Sequence, residues 1–248
     1  MAFVNSYKAS GPIYVEDTTK PDDINFSIPV PSCLETTRVK LIPFIPYVHA
    51  TTFFSAFQPA SEELSRYLPV SFSAYPDFLN FIEFFRSDPN MTLFAIIDKT
   101  RSKGDAALEH ILAGVVGFVH ASAANLAVEI GPIIILPKFQ RTFVTSNAIG
   151  ALLKFCLDLP SDGGLGFRRV CWTAHPGNLP SVKVAERMGM KLEGRLRWTW
   201  ALAPDKVGER CSKGRGEALG RDSLMLAICW DDWENGGKEH VERLIDRI

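Results

Sequence analysis

Residues 126–136 have the sequence LAVEIGPIIIL, an apolar, β-branched run that is interrupted by Gly131 and Pro132. A run of this length and composition predicts a buried β-strand. Proline has no amide N–H to donate to a neighbouring strand, so a regular central strand should not contain it. We therefore expect a bulge or a splay at Gly131-Pro132, where this strand parts from a neighbour.

The residues before this segment alternate between strand and helix patterns. Apolar runs predict strands at 34–41, 92–98 and 111–121, the last two joined as a hairpin by a long, charged loop. Apolar residues at helical spacing predict helices at 46–58 and 76–87. Residues 1–32 contain four prolines among polar residues, so we expect an extended N-terminal arm followed by a single domain at 33–248.

The residues after it continue the alternation. Helices are predicted at 141–158, 180–188 and 238–247, strands at 169–174, 191–201 and 222–230, and a glycine-rich, charged loop at 203–221. One mixed sheet with helices on both faces satisfies this order. The predicted fold class is therefore α/β.

Composition excludes several classes of function. The chain has 248 residues, 46% of them hydrophobic and 22% charged, with a net charge of −1, so nothing indicates a nucleic-acid partner. No secretory signal pattern and no apolar stretch of roughly 18–20 residues is present, so we expect a cytoplasmic protein without a membrane partner. The five cysteines form no CxxC pair, and no metal site is predicted.

Five segments resemble, in the right order, the GCN5-related N-acetyltransferases (GNAT), and especially the branch similar to ribosomal-protein-alanine N-acetyltransferases. They cover about four fifths of the chain and lie at 34–44, 117–142, 151–158, 167–197 and 220–233. The most specific block matches that branch at Asn178, Ser181, Ala185, Glu186, Arg187, Gly189, Glu193, Gly194 and Arg197. The resemblance implies a mostly antiparallel sheet that is splayed between its fourth and fifth strands and binds acetyl-CoA in that gap.

Two physical arguments support a coenzyme A site. A splayed strand leaves backbone groups unpaired, and the amide-bearing pantetheine arm can pair with them. A helix N-terminus offers free N–H groups to a diphosphate. The expected cofactor-binding residues are Ile133, Ile134, Ile135, Gln140, Arg141, Thr142, Phe143, Val144, Thr145, Asn178 and Ser181. Sequence cannot decide which isoleucine amides face the gap, because a slip of one residue reverses every face.

The diphosphate segment departs from the family motif, Gln/Arg-x-x-Gly-x-Gly/Ala. Aligned on Gln140, the chain has Phe143 at the glycine position and Thr145 at the small-residue position. A bulky side chain stands where the close approach of phosphate favours glycine. The hydroxyls of Thr142 and Thr145 offer partial compensation. This departure leaves open a second function, a degenerate GNAT fold that binds acyl-CoA or a partner without catalysis.

Acyl transfer to an amine needs a group that removes a proton and a donor that stabilises the developing oxyanion. The candidate catalytic residues are Glu129, Ser181 and Asn178. Glu129 is the best candidate for the general base because it stands beside the gap amid apolar residues, although it could instead pair with a basic neighbour. Asn178 and Ser181 either contact the cofactor or cap the helix that follows them.

Other polar and aromatic residues have weaker functional interpretations. His120 could face the acceptor and His175 could act as an acid or base, but an ordinary strand-end or turn role is favoured for each. Trp198 and Trp200 are expected to pack in the core rather than against an acceptor. The loop at 203–221 either selects the substrate or is a solvated surface loop.

These observations predict an N-acetyltransferase. We expect it to transfer the acetyl group of acetyl-CoA to a primary amine, either a protein N-terminus or a small molecule. Direct attack by the amine is favoured because no cysteine occupies a motif position that a covalent intermediate would require. The expected assembly is a monomer or a homodimer.

Overall fold

The structure of the protein, a computed structural model, describes residues 24–101 and 107–246. The strands in this part of the chain belong to one sheet. They are β1 Leu34–Glu35, β2 Val39–Pro43, β3 Thr92–Asp98, β4 Leu112–Ser122, β5 Ala127–Ile135, β6 Arg169–Ala174, β7 Lys191–Ala201 and β8 Gly220–Cys229.

The helices surround this sheet. They are α1 Pro46–Phe57, α2 Ser61–Ser65, α3 Tyr75–Ser87, α4 Leu108–Ile111, α5 Val144–Leu157, α6 Leu179–Arg187, α7 Trp230–Asp232 and α8 Lys238–Asp246. Helix α1 packs against α3 and β4, whereas α5 packs against α8 and the strands β1, β2, β3, β5 and β6. None of the helices in the described ranges is long and apolar enough to span a bilayer.

The strand order is β1-β2-β3-β4-β5-β6-β8-β7, and only β5 and β6 run parallel to each other. The predicted α/β fold with one mostly antiparallel sheet is therefore confirmed. The predicted strand at 34–41 is wrong in detail, because it is a hairpin formed by β1 and β2. The turn is fixed by Thr36, whose Oγ1 accepts hydrogen bonds from the amides of Arg38 at 3.2 Å and Val39 at 3.0 Å.

The predicted irregularity at Gly131-Pro132 is confirmed as a bulge against β4. Val116 pairs with Ile133 and Phe118 pairs with Ile130, so two residues of β5 lie opposite the single residue Gly117. The peptide bond between Gly131 and Pro132 is cis. The bulge bends β5 at the position where proline removes a ladder donor.

Just before this bulge β5 also separates from β6. The two strands pair only through Ala127, Val128 and Glu129, whereas β6 continues to Ala174. A wedge opens between them after Glu129. Because the first predicted strand has become β1 and β2, this wedge is the gap expected between the fourth and fifth strands.

A single hydrophobic core holds both sides of the wedge in place. Its aromatic part lies between α1 and α3, where the rings of Phe53 and Phe78 stack with their centroids 5.1 Å apart. Residues 24–32 of the expected arm are packed on the domain, with Phe26, Ile28 and Val30 buried in the same core. Residues 1–23 of that arm lie outside the described residues, and the expected boundary at residue 33 stays a prediction.

Close contact between β4 and β5 generates a first prediction. A Cβ atom at Gly114 would lie 2.3 Å from the Ile134 carbonyl oxygen, a backbone atom that cannot turn aside. We expect Gly114→Ala to lower the free energy of unfolding, measured by urea titration, by about 1–3 kcal/mol. The matched control is Gly194→Ala in β7, where no atom lies within 4 Å of the added Cβ. Equal stability of the two variants would contradict this packing.

Candidate active site

Glu129 lies at the apex of the wedge. It is the last residue of β5 that pairs with β6, and its side chain is 11% exposed. One carboxylate oxygen accepts a hydrogen bond from the Thr173 hydroxyl, and the other lies 3.0 Å from Nδ1 of His120. Because a carboxylate can only accept, Nδ1 carries the proton, and Nε2 is left as the basic nitrogen of the neutral ring. Glu129 thus pairs with a basic residue at the expected site of the general base.

A second bulge brings His120 to this position. Val119 pairs with Glu129 and Ser122 pairs with Ala127, so β4 has one residue more than β5 between these pairs. His120 has a φ of +53°, in the left-handed region, which turns its side chain toward the Glu129 face. Its hydrogen bond to Glu129 raises the pKa of His120, and the charges of Glu129 and Asp88 act in the same direction. No sequence pattern predicts this bulge, so the contact between His120 and Glu129 is not apparent from the sequence.

The structure also settles which amides of β5 face the wedge. The Leu136 amide donates to the Ala113 carbonyl at 2.9 Å, so the backbone groups of Leu136 point toward β4. Backbone groups alternate between the two edges of a strand, so those of Ile134 also point toward β4. Those of Ile133 and Ile135 point to the open side. The Ile135 carbonyl there accepts a hydrogen bond from the Gln140 side chain at 3.2 Å.

The predicted diphosphate segment is a turn followed by the first residues of α5. The helix begins at Val144 rather than at residue 141, because Arg141 has a φ of +58°. Thr142 stabilises the turn: its hydroxyl donates to the Phe139 carbonyl at 2.7 Å and accepts from the Val144 amide at 3.3 Å. Within the described residues, no acceptor contacts the amides of Thr145 and Ser146. These are free N–H groups at the positive end of a 14-residue helix.

Phe143 is the bulky residue at the glycine position of the motif. Its ring points away from the free amides at the start of α5. The guanidinium carbon of Arg38 lies 4.2 Å from the ring centroid, and Arg38 also donates to the Ile245 carbonyl. The Phe143 carbonyl accepts from the Asn147 amide. The ring therefore packs toward β2 and α8, which leaves the amides of α5 accessible despite the departure from the motif.

Arg187 adds a cation that sequence reasoning did not assign to the cofactor site. It lies in the last turn of α6, and its Nη2 donates to the Ser146 hydroxyl at 3.3 Å. Lys138 and Arg141 are also exposed near the same turn. Ser146 and Arg187 are 41 residues apart in the chain, so no local spacing could have revealed this contact.

Asn178 and Ser181 lie at the start of α6. Asn178 is the N-cap, and its side-chain oxygen accepts the Ser181 amide at 3.2 Å. The Ser181 hydroxyl oxygen accepts from the Trp172 indole N–H at 3.0 Å. Asn178 thus caps α6, as one of its two interpretations predicts. The hydroxyl proton of Ser181 remains available to a further acceptor.

Two other interpretations from the sequence have clear outcomes. His175 is a turn residue whose Nδ1 accepts from the Gly177 amide at 2.9 Å and whose ring packs on Tyr67. The expectation that Trp198 and Trp200 pack in the core is wrong, because they are 52% and 40% exposed. They belong to β7, the edge strand of the sheet, which is exposed along nearly its whole length.

The N-cap generates a second prediction. Removal of the side-chain acceptor in Asn178→Ala should lower the free energy of unfolding by about 1 kcal/mol, whereas Asn178→Ser should retain nearly all of it. Chemical denaturation of both variants checks this expectation. If Asn178→Ala is as stable as the unmodified protein, the cap contributes nothing and a cofactor role becomes the only one left for this side chain.

Comparisons with known proteins agree with this geometry. The family model of the acetyltransferase (GNAT) domain matches residues 38–191, more than half of the chain. A GCN5-related N-acetyltransferase from Brucella melitensis has 22% identity and a TM-score of 0.69, with 87% of this chain and 86% of that chain covered.

Two further solved structures share the fold at lower identity. Mycobacterium smegmatis RimJ, in complex with CoA-disulfide, has 16% identity and a TM-score of 0.59, with 82% of this chain and 88% of that chain covered. RimL, a ribosomal L7/L12 alpha-N-protein acetyltransferase, has 18% identity and a TM-score of 0.59, with 79% and 93% covered. The search of curated proteins found no match. With its splayed sheet and its matching domain model, the chain belongs to the GNAT acetyltransferase family.

Proposed function

We propose that the protein transfers the acetyl group of acetyl-CoA to a primary amine by direct attack. The observation that carries this proposal is the wedge between β5 and β6, which opens immediately after Glu129 and its hydrogen-bonded partner His120. It places open backbone groups and a proton acceptor at one point of the sheet. Acetyl transfer is the activity of the family. That the acceptor is a primary amine is part of this proposal.

The residues along the wedge fit coenzyme A. The backbone groups of Ile133 and Ile135 face the open side and suit the amides of a pantetheine arm. The free amides of Thr145 and Ser146, together with the Arg187 guanidinium, suit a diphosphate. Acetyl-CoA supplies an activated thioester carbonyl when bound. An N–H of Ile133 or Ile135 is the donor that stabilises negative charge on its oxygen.

The base in this proposal is the Glu129–His120 pair. Both carboxylate oxygens of Glu129 already accept hydrogen bonds, from Thr173 and from His120. The His120 side chain is 63% exposed, so its basic Nε2 is open to an incoming amine. His120 then takes the amine proton, and Glu129 orients the ring and stabilises the imidazolium that forms. Thus Glu129 acts on the amine through His120.

The hydroxyl of Ser181 is the proposed hydrogen-bond donor to the leaving thiolate, which leaves as the anion or takes a proton from solvent. Its oxygen accepts from Trp172, which orients the O–H and leaves its proton free. Asn178 supports this residue by holding its amide. The contribution to rate is modest, because a thiolate leaves readily without protonation.

The acceptor class is inferred from the comparison with RimL. RimL is described as acting on the α-amine of a ribosomal protein, which favours a peptide N-terminus for the present chain as well. A small-molecule amine is the other member of the proposed class. The predictions of a cytoplasmic location, of no metal ion and of a monomer or homodimer stay unchanged.

Coenzyme A binding gives a third prediction. In titration calorimetry CoA should bind the unmodified protein, and Arg187→Gln should weaken binding by about tenfold, because a charge-assisted contact to phosphate is lost. The matched control is Arg168→Gln, an exposed arginine at the closed end of the wedge, which should bind CoA normally. Absence of heat and of a thermal shift with CoA would refute the proposed cofactor. CoA binding without turnover of any amine would instead favour the non-catalytic alternative.

The base assignment gives a fourth prediction. His120 must be neutral to accept a proton, and its pKa is raised, so kcat/KM should increase with pH through a midpoint above the ordinary histidine value of about 6.5. Removing the charge in Glu129→Gln should move that midpoint to lower pH and reduce the plateau. His120→Ala should lower kcat/KM by about 100-fold or more.

The pH profile is measured with one acceptor amine throughout, so that the amine's own ionisation is the same for every variant. The control is His110→Ala. His110 is exposed and lies just before the first residue of β4, at the end of that strand far from His120, so this variant should leave the profile unchanged. An unshifted midpoint in Glu129→Gln would remove the Glu129–His120 pair from the mechanism. Undiminished turnover by His120→Ala would do the same.

A further inference from the structure

Arg221 is a buried cation at the start of β8. Its residue is 8% exposed, and its guanidinium donates to the Tyr67 carbonyl and to the Ser223 hydroxyl. Its Nε has no hydrogen-bond acceptor in the described part of the chain. Two of the five N–H donors of Arg221 thus bond to neutral oxygen atoms, and a third, on Nε, is buried without an acceptor among the described residues.

No carboxylate in the described ranges neutralises Arg221. The neighbouring acidic residues are engaged elsewhere, Asp222 with Arg195 and Asp205 with Ser71. Burial lowers the pKa of the Arg221 guanidinium, and no nearby acid offsets that effect. A buried charge is costly unless an opposite charge or a full set of hydrogen bonds compensates it. The site therefore favours an anion from outside this part of the chain.

Arg221 lies on the face of the sheet that carries the proposed base. Thr173, which bonds to Glu129, pairs with Met225 of β8, and every second residue of a strand shares one face. Arg221 precedes Met225 by four residues, about 13 Å along the strand. Its bond to Ser223 shows that the side chain turns back toward Thr173. Thr173 lies one strand away from β8 and Glu129 two, at about 5 Å per strand, so the guanidinium is roughly 10–15 Å from the proposed catalytic pair.

Three rings lie around Arg221. The rings of Tyr67 and His175 pack with centroids 5.1 Å apart, and the Trp200 ring centroid lies 6.0 Å from the Arg221 guanidinium carbon. All three rings are partly or largely exposed, so the cation lies just beneath the surface. Lys206 bonds to Ser65 on the same side and pairs with the Asp205 carboxylate at 3.8 Å. The loop at 203–221 is thus anchored here at both its ends.

We infer that Arg221 binds an anionic group of the acceptor, so that the enzyme selects amines that carry a carboxylate roughly 10–15 Å from the reacting nitrogen. This inference rests on the proposed acetyl transfer. An extended peptide spans about 3.3–3.6 Å per residue. A carboxylate at the third or fourth residue of a peptide acceptor therefore matches the separation between the proposed catalytic pair and Arg221. A planar guanidinium with unused donors is suited to a carboxylate of this kind.

The experiment compares an alanine tripeptide that has a free C-terminal carboxylate with its C-terminal carboxamide. Both peptides are titrated by calorimetry into the CoA-saturated protein and are also assayed for acetylation. The unmodified protein should bind the free acid about tenfold more tightly than the amide, with the difference in KM rather than in kcat. Arg221→Gln should lower the affinity for the acid to that for the amide and leave the amide unaffected.

Two further variants separate recognition from structural support. Arg221→Lys keeps the charge and should retain part of the preference for the acid, and Arg210→Gln, an exposed arginine of the same loop, should retain all of it. Equal binding of acid and amide by the unmodified protein, or binding of neither, would overturn the inference. An equal loss for both peptides in Arg221→Gln would show a purely structural role. Failure of CoA binding would instead reject the proposed function itself.

Discussion

The hydrogen bonds that β5 does not make with β6 determine the rest of the site. The two strands run parallel through Ala127, Val128 and Glu129 and then separate, although β6 continues for three more residues. The separation follows from the bulge at Gly131-Pro132, since proline cannot donate to the ladder and the extra residue bends the strand. If the parallel pairing continued over the full length of both strands, no open amides would remain for a cofactor beside Glu129.

A second bulge lies on the other edge of β5, in β4, and it brings the proposed base to the wedge. The extra residue in β4 directs His120 onto the Glu129 carboxylate, and the cost of its left-handed backbone is offset by that hydrogen bond. Both irregularities flank Glu129, one within β5 and one in its partner strand. At these two places the sheet frees backbone groups and redirects a side chain, and the surrounding aromatic core keeps both irregularities in place.

The fold and the open strand could be predicted from the sequence because they depend on local patterns. Gly131-Pro132 breaks an apolar run, and helices at 3.6-residue spacing alternate with strands at two-residue spacing. The contacts that define the site are of another kind. His120 depends on a bulge with no signature, Arg187 meets Ser146 across 41 residues, and the facing of the Ile133 amide depends on a register that sequence leaves open. The predicted core position of Trp198 was wrong because sequence does not reveal which strand lies at the edge.

Cationic groups lie at two places on either side of Glu129, and they favour one orientation of the bound molecules. The start of α5 with Arg187 offers a positive end to a diphosphate, while the buried guanidinium of Arg221 lies at the start of β8. The Glu129 carboxylate lies between them and pairs with His120. A cofactor and an acceptor that each carry an anionic group away from the reacting atoms would therefore be held at their far ends. Their uncharged reacting groups, thioester and amine, would then meet beside the proposed Glu129–His120 pair, where orientation contributes most to rate.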